Sequence, residues 1–519
     1  MASTSYKLKV DWNNDGDFAD SNEDISNYVI SVEWERGRDY FSTLTGKSTA
    51  GTLRATLLNT DGRFSSFNSG SPLFGNILPS RPVVLTGVGD GSFPYTFEMA
   101  FFQPLWKGFL KTITPVPDVQ GRDIAVLEAV GSLGFINRKQ IRIAQQTDIG
   151  TGAGIGAILD AVGFSGTARD LDTGQSTMSR MFFKGDISPI NALRQVETTE
   201  NGFISETKEG EIRFDGRHAR FTNGESTNSN LTFSDADDST YSFSEITQDD
   251  PINSIANEIN LNLQLYSEAS ASVVWTHPET GTSSPSIESG KDRTYRAIFP
   301  SPDASVGAES IGTWTTPSAG TDYVGNTASD GSGSTITGDL TVAIVKTSNF
   351  MDIKITNGNA NTVYLTTLQA RGTVVSKADT TGFTATDSTS ETTFGKRSFK
   401  ADDNFVSTSA EAQQWCDYNI AITKNPQQNL TITLVANRNQ STLDAVVGMI
   451  DLSWRVTLDA HTKTGLFGAD KDFYIESEKH MIDSNRIHMV TYTLSPTSAT
   501  GIFWVVGVSL LETETYIAY

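Results

Sequence analysis

The residue types best suited to chemistry sit in one short run near the start of the chain, Asp11-Trp12-Asn13-Asn14-Asp15-Gly16-Asp17-Phe18. With Asp11 as the first position, Asn13 and Asp15 fall at the third and fifth and Gly16 at the sixth. That is the order in which a calcium loop presents its oxygen ligands, with glycine making the sharp turn. Asp17 stands at the seventh position, and Asn22 stands at the twelfth, where such loops carry glutamate; Glu23 and Asp24 follow. The candidate metal ligands are therefore Asp11, Asn13, Asp15, Asp17 and Asn22. The candidate ion is calcium, in a structural role, because no catalytic grouping lies near them in sequence. A second reading fits the same residues: an exposed turn held by side-chain-to-backbone hydrogen bonds of Asp and Asn. The six acids between positions 11 and 24 repel one another unless a cation or solvent screens them.

Other motifs carry less. Gly46-Lys47-Ser48 lacks the glycine a phosphate loop needs five residues earlier, where Phe41 stands, and strand patterns rather than a helix surround it. Gly152-x-Gly154 has no strong strand before it and reads as a flexible helix entry. None of the histidines (His218, His277, His461, His480, His488) has the spacing of a helix-borne zinc site. His480 and His488 flank neighbouring strand patterns and are expected to face each other across a hairpin, as surface or half-buried residues. No serine elbow or cysteine nucleophile is present, and no glycosidase pair can be chosen among 61 acids by sequence. No catalytic or cofactor-binding residue is assigned. The chain is expected not to be an enzyme and to require no cofactor.

The elements that would position these residues are mostly strands. Leu8, Val10 and Trp12 alternate with polar neighbours, as do Leu53, Ala55 and Leu57, and Ile259, Leu261, Leu263 and Leu265. Met351, Ile353 and Ile355 repeat the pattern and run into Asn357-Gly358, a hairpin-turn dipeptide. Leu430, Ile432 and Leu434, then Val490, Tyr492 and Leu494, continue it. Alternation of this kind puts one face on a core and one toward polar surroundings. Helices are expected to be few, and three stand out. Residues 153–163 place Ile155, Ile158, Leu159 and Val162 on one face. Residues 189–200 open with Ser188-Pro189 and stop near Gly202. Residues 409–422 open with the capping pattern Thr408-x-x-Glu411 and bury Cys416 as a packing residue. A faint likeness links Gln103-Pro104-Leu105-Trp106-Lys107-Gly108-Phe109-Leu110 with the strand Phe473-Tyr474-Ile475-Glu476-Ser477, each late in a β-rich section.

At 519 residues the chain has room for several domains. Composition divides it into a strand-rich 1–140, an α+β segment 141–250, a β-rich 251–380 and a final β segment 381–519 with one helix. The residues from Asn223 to Ser239 read as an exposed loop, and those from Thr327 to Gly338 as a mobile one. One cysteine excludes an intrachain disulfide. Net charge −22 excludes gripping nucleic acid through phosphate neutralisation, though an acidic wall lets DNA slide past. The start of the sequence has no apolar signal-like core, and the apolar run Ile502 to Leu511 is far shorter than the ~20 residues of a membrane helix. A soluble protein made in the cytoplasm, with no membrane span, is expected.

Taken in order, several short motifs resemble the tail-tip (baseplate) hub, or minor tail, proteins of tailed bacteriophages. They are the Val10 to Phe18 run, Arg36-Gly37-Arg38, Ala50-Gly51-Thr52-Leu53, Leu58-Asn59-Thr60-Asp61-Gly62-Arg63-Phe64 and Ser71-Pro72-Leu73-Phe74-Gly75. Further on come Asn191 to Glu197, Arg213 to His218, Trp314 to Pro317, Leu365 to Gly372, Phe394 to Arg397 and Phe473 to Glu478. The resemblance implies a mainly β, multi-domain chain with two β-barrel, tube-like domains and a small α+β insertion. Residues 1–140 and parts of 381–519 would supply the barrels. It implies a homotrimer at the virion tail tip, assembled in the host cytoplasm, that adapts the sixfold tail tube to threefold fibres or a spike. Implied partners are the tail tube, distal tail ring, tape-measure and fibre or spike proteins, with DNA crossing the lumen without specific binding. The tail Ile502 to Tyr519 would be a last barrel strand or dock a partner. Two other readings stand beside it: a distal ring or adaptor protein of the same tip, and a tail-borne carbohydrate-binding or hydrolysing β-protein.

Overall fold

The computed structural model describes residues 5–39, 47–88, 102–117, 123–249, 251–280, 283–299, 308–402, 404–497, 503–504 and 516–517. Gly46 and most of the Ile502 to Tyr519 tail lie outside these residues.

The chain is mainly β. Its largest sheet takes six strands from the N-terminal part: β1 (Tyr6–Val10), β2 (Val29–Asp39), β3 (Thr52–Leu58), β4 (Pro82–Val88), β5 (Phe102–Pro117) and β6 (Asp123–Val130). Six more come from later: β7 (Thr232–Ser234), β8 (Glu245–Gln248), β9 (Leu430–Val435), β10 (Arg455–Asp459), β11 (Lys471–Ile482) and β12 (His488–Pro496). A short strand, Lys47–Ser48, pairs with β2.

The first six strands lie side by side in the order β1-β4-β5-β6-β3-β2. The second six lie in the order β7-β10-β11-β12-β9-β8. Ranked along the chain within its own unit, each set reads 1-4-5-6-3-2. Neighbours are antiparallel throughout both units except β7 and β10, which run parallel. The same strand order is therefore built twice in one chain, with one pair differing in direction. The two stretches with a faint sequence likeness, in β5 and β11, both hold the fifth rank.

Alternation explains the strands. In β3, Leu53, Ala55 and Leu57 are buried between exposed or half-buried neighbours; in β9, Leu430, Ile432 and Leu434 are. These residues, with Leu8, Val10, Val83, Leu85 and Leu127 of the first unit and Val456, Leu458, Val490, Tyr492 and Leu494 of the second, form one hydrophobic core across both units. Burying such a shared core favours a fixed mutual position of the units.

The units join where β2 pairs antiparallel with β11, Trp34 opposite His480 and Arg36 opposite Glu478. One edge of β11 is divided: residues 471–474 pair with β10 and residues 477–482 with β2. A bulge lies between Ile475 and Ser477 on the other edge, at the changeover. An extra residue there bends the strand and increases its twist, which lets one strand serve two neighbours.

Between the units lies an α+β body: the ribbon Ile141–Gly150 with Thr177–Ile187, the helices Thr151–Ala161 and Pro189–Glu200, and the hairpin Phe203–Glu206 with Ile212–Asp215. Ile155, Ile158 and Leu159 are packed with Leu193 and Val196 in its own core. Ser188 takes the N-cap position without a side-chain bond, and left-handed Asn201 ends the second helix one residue before Gly202. Inserted between β8 and β9 is a β body in which the long strand Val363–Thr386 pairs in turn with several others. The helix Ser409–Thr423 packs on it and on Glu258–Glu268, with Thr408 Oγ1 accepting the Glu411 N–H at 3.1 Å.

Three expectations change. Asn357-Gly358 turns no hairpin: Phe350–Asn357 pairs with Asp292–Ile298 and Leu340–Lys346, and the next strand joins the other sheet. Asn357 is instead buried, its amide donating to the Ile287 and Asn361 carbonyls at 2.9 Å. The stretch from Asn223 to Ser239 is more than a loop, since it contributes β7 with Phe233 in the core. The units of packing also cross the boundaries read from composition: β7 and β8 belong with the C-terminal strands, and the helix after Thr408 belongs with the inserted β body.

Candidate functional site: a buried charge junction and an acidic loop

Alternation on β2 and β11 does something unusual at their junction. Trp34, Arg36 and Arg38 of β2 are buried, and so are Glu476, Glu478 and His480 of β11. Arg36 donates from Nε to Glu478 at 2.6 Å, from Nη2 to Asp451 at 2.5 Å and from Nη1 to the Glu206 carbonyl at 3.0 Å. Arg38 pairs with one oxygen of Glu476, and Arg220 donates to the other at 2.8 Å. Arg38 and Arg220 lie over the ring of Phe203, at 3.9 and 4.4 Å from its centroid. Thus the first unit supplies Arg36 and Arg38, the second supplies Glu476, Glu478 and Asp451, the α+β body supplies Glu206 and Phe203, and the short helix Ala219–Thr222 after it supplies Arg220.

Close backbone approach is built into the same place. Gly37 has φ +129, and a Cβ there would lie 2.5 Å from the Ser477 Cα. A Cβ on Gly131 would lie 2.0 Å from the Glu206 carboxylate. Glu206 uses that space to accept the Gly51 N–H at 2.8 Å and the Leu133 N–H at 2.5 Å. Lys208 reaches the Val446 and Val447 carbonyls at 3.2 and 3.3 Å.

Burial sets the protonation pattern. Burial would raise the Glu478 carboxyl, but Arg36, His480 and Lys208 together outweigh it and hold Glu478 well below the usual carboxylate range. Glu476 is likewise depressed by Arg220 and Arg38 against the burial cost. Burial pushes Glu206 up to about 7, against the pull of the Leu133 and Gly51 N–H groups and Arg36. It pushes Glu197 up to about 7 as well, against the Ile204 N–H and Arg38. Glutamates matched to an arginine are held below the usual range, whereas those held mainly by backbone N–H groups are raised above it.

Beside this lies an aromatic cluster. His480 stacks on Trp34 with ring centroids 4.5 Å apart, its Nδ1 is 3.0 Å from His488 Nε2, and His488 Nδ1 is 2.7 Å from the Tyr6 hydroxyl. The two histidines do face each other across a hairpin, but as fully buried residues, so burial lowers both pKa values.

The acidic loop is separate. Asp11 is buried and accepts the Asn14 N–H at 2.5 Å and the Gly16 N–H at 3.0 Å. Asn13 Oδ1 accepts the Asp15 N–H, and its amide donates to Asp15 and Asp20 at 2.8 and 2.6 Å. Asp17 accepts the Ala19 N–H at 2.8 Å. Carboxylate oxygens of Asp11, Asp15 and Glu23 lie within 4.8 Å of one another. Among the sequence candidates, Asp11 and Asp15 are thus brought together. Asn22 takes a left-handed conformation (φ 72) and its carbonyl accepts from Trp12 Nε1 at 2.9 Å, while Glu23, one residue later, brings its carboxylate to Asp11 and Asp15. Burial raises the Glu23 pKa, the Asp20 N–H opposes it, and Asp11, Asp20 and Asp15 raise it further.

Sequence reasoning missed Glu23 because the left-handed residue adds one place to the loop. It also missed a second group, Asp459, His461 and Asp470, which a turn folds together. The glycines Gly152 and Gly154 are not a flexible entry: a Cβ on them would meet the Asp172 carbonyl at 1.9 Å and Met178 at 2.4 Å. Among the described residues no helix is long and apolar enough to cross a membrane.

No protein-family model matches the chain, and no curated relative matches it. Solved structures are similar to it over nearly its whole length. A tail protein of Neisseria meningitidis MC58 is 9% identical, covering 96% of this chain and 98% of its own, with a TM-score of 0.48. The 43 kDa tail protein of prophage MuSo2 from Shewanella oneidensis is 9% identical, covering 95% and 98%, with a TM-score of 0.46. A prophage tail protein of Listeria monocytogenes EGD-e is 9% identical, covering 94% of each chain, with a TM-score of 0.41.

Proposed function

We propose that this chain is a structural virion protein, the hub of a phage tail tip, and that three copies close into a ring around the tail axis. The observation that carries the proposal is the doubled 1-4-5-6-3-2 strand order. Six strands admit hundreds of linear orders, so a shared one marks two modules of one kind. A closed ring of three chains then presents six such modules, which matches a sixfold tube on one face and threefold fibres or a spike on the other. The buried junction supports this reading, because modules that share a ring must hold one mutual angle.

On this reading the neighbours are tail tube, distal ring and tape-measure proteins, and the site of action is the virion tail tip after assembly in the host cytoplasm. Net charge −22 suits a lumen through which DNA passes without adhering. The chain acts through surfaces, with no reaction centre of its own. Native mass spectrometry of the purified chain tests it: a species of three times 56.2 kDa is expected. A monomer across micromolar concentrations contradicts it.

A further inference from the structure

The acidic loop poses a problem that its protein contacts do not solve. Glu23 is 1% exposed, and its Oε2 accepts the Asp20 N–H at 3.0 Å, but its Oε1 is buried without a partner. A buried carboxylate oxygen left unmatched loses its hydration without a replacement bond. Among the described residues no cationic side chain pairs with Asp11, Asp15, Asp20 or Glu23; the nearby Lys9 ammonium goes to the Phe18 carbonyl at 2.9 Å, and Lys7 lies 4.0 Å from Asp24. Meanwhile the backbone holds the carboxylates converged: Val10 N–H donates to the Glu23 carbonyl at 3.0 Å, and Trp12 clamps Asn22.

We propose that the loop from Asp11 to Glu23 binds one calcium ion, with the carboxylates of Asp11, Asp15 and Glu23 as its charged ligands. The buried, unpartnered oxygen of Glu23 is the place the ion fills. The donors are all oxygen, and hard, flexible oxygen sets suit calcium, whereas zinc takes nitrogen and sulfur and magnesium prefers to keep its water. Relative to a twelve-residue loop the closing glutamate stands one place late, and left-handed Asn22 absorbs the extra residue. The ion would tie residues 11–23 to the end of β1, on the first unit. The site does not depend on the hub reading.

The test uses the full chain stripped of metal with a chelator. Terbium is added as a luminescent probe, excited through Trp12, whose indole bonds the loop, and is then displaced by calcium. One site per chain is expected, displaced by calcium at lower concentration than by magnesium. Glu23→Gln and Asp15→Asn should each weaken calcium by about tenfold or more, while Asp470→Asn leaves it unchanged. Should the variants fold poorly, the unaltered chain still decides: its thermal midpoint should rise with calcium and fall back with chelator. Absence of saturable terbium or calcium binding, or an affinity unchanged from the parent in both loop variants, overturns the proposal.

Discussion

Replacing Arg36 by methionine should loosen the seam between the two sheet units far more than its single position suggests. The Arg36 and Glu478 side chains are each 1% exposed, and Arg36 carries bonds to Glu478, Asp451 and the Glu206 carbonyl. Methionine keeps most of the volume but strands Glu478 in the core beside a neutral His480. Leaving one partner of a buried ion pair costs about 3–5 kcal/mol. At 1.4 kcal/mol per factor of ten, seam opening becomes about a hundredfold to a few thousandfold more frequent. Hydrogen exchange read by mass spectrometry on peptides covering residues 29–39 and 471–482 reports that opening locally. Adding Glu478→Met should recover at least about half of the loss, since replacing both partners by apolar groups is often neutral or better. Exchange within about threefold of the parent in Arg36→Met, or a double variant as fast as the sum of both single changes, would refute the claim that this pair locks the seam.

Other outcomes follow from the same junction. Glu206 is raised from 4.5 to about 7, so the folded chain binds the extra proton in that window and its contribution is fully present below pH 4.5 and lost as pH rises through about 7. Glu206→Gln should therefore flatten the decline of urea stability over that range; an unchanged slope counts against it. His480 and His488 are depressed and neutral when folded, so their contribution is present above pH 6.5 and lost on acidification, and the amides of residues 488–496 should exchange faster at pH 5 than at pH 7 after correction for intrinsic rate. Gly37→Ala combines φ +129 with a Cβ 2.5 Å from Ser477 and should cost about 3 kcal/mol in denaturant titration. Cys416 is buried, and burial pushes its thiol up to about 11, so a disulfide exchange reagent should modify it only on unfolding.

Much of the β architecture was legible because period-two alternation is a local signal: Leu53, Ala55 and Leu57, or Leu430, Ile432 and Leu434, declare a buried face without knowing their partners. Pairing is not local, so the doubled strand order stayed hidden. The resemblance implies two barrel domains without their strand order, and the faint likeness between the Gln103 and Phe473 stretches falls on strands that both hold the fifth rank. Arg36-Gly37-Arg38 was visible as a motif, but nothing in sequence says that Glu476 and Glu478, more than 400 positions on, come to meet it. The same holds for Asn357-Gly358, whose hairpin preference is local and loses to the side-chain bonds of a buried asparagine. In the acidic loop the ligand types were legible and the spacing was not, because one left-handed residue shifts the count from Asn22 to Glu23.

End-on electron microscopy of the purified assembly tests the central claim most directly. Two like modules per chain in a three-chain ring predict averages with six evenly spaced lobes around an open or plugged centre. A ring with only three lobes, or isolated particles of one chain, would contradict it.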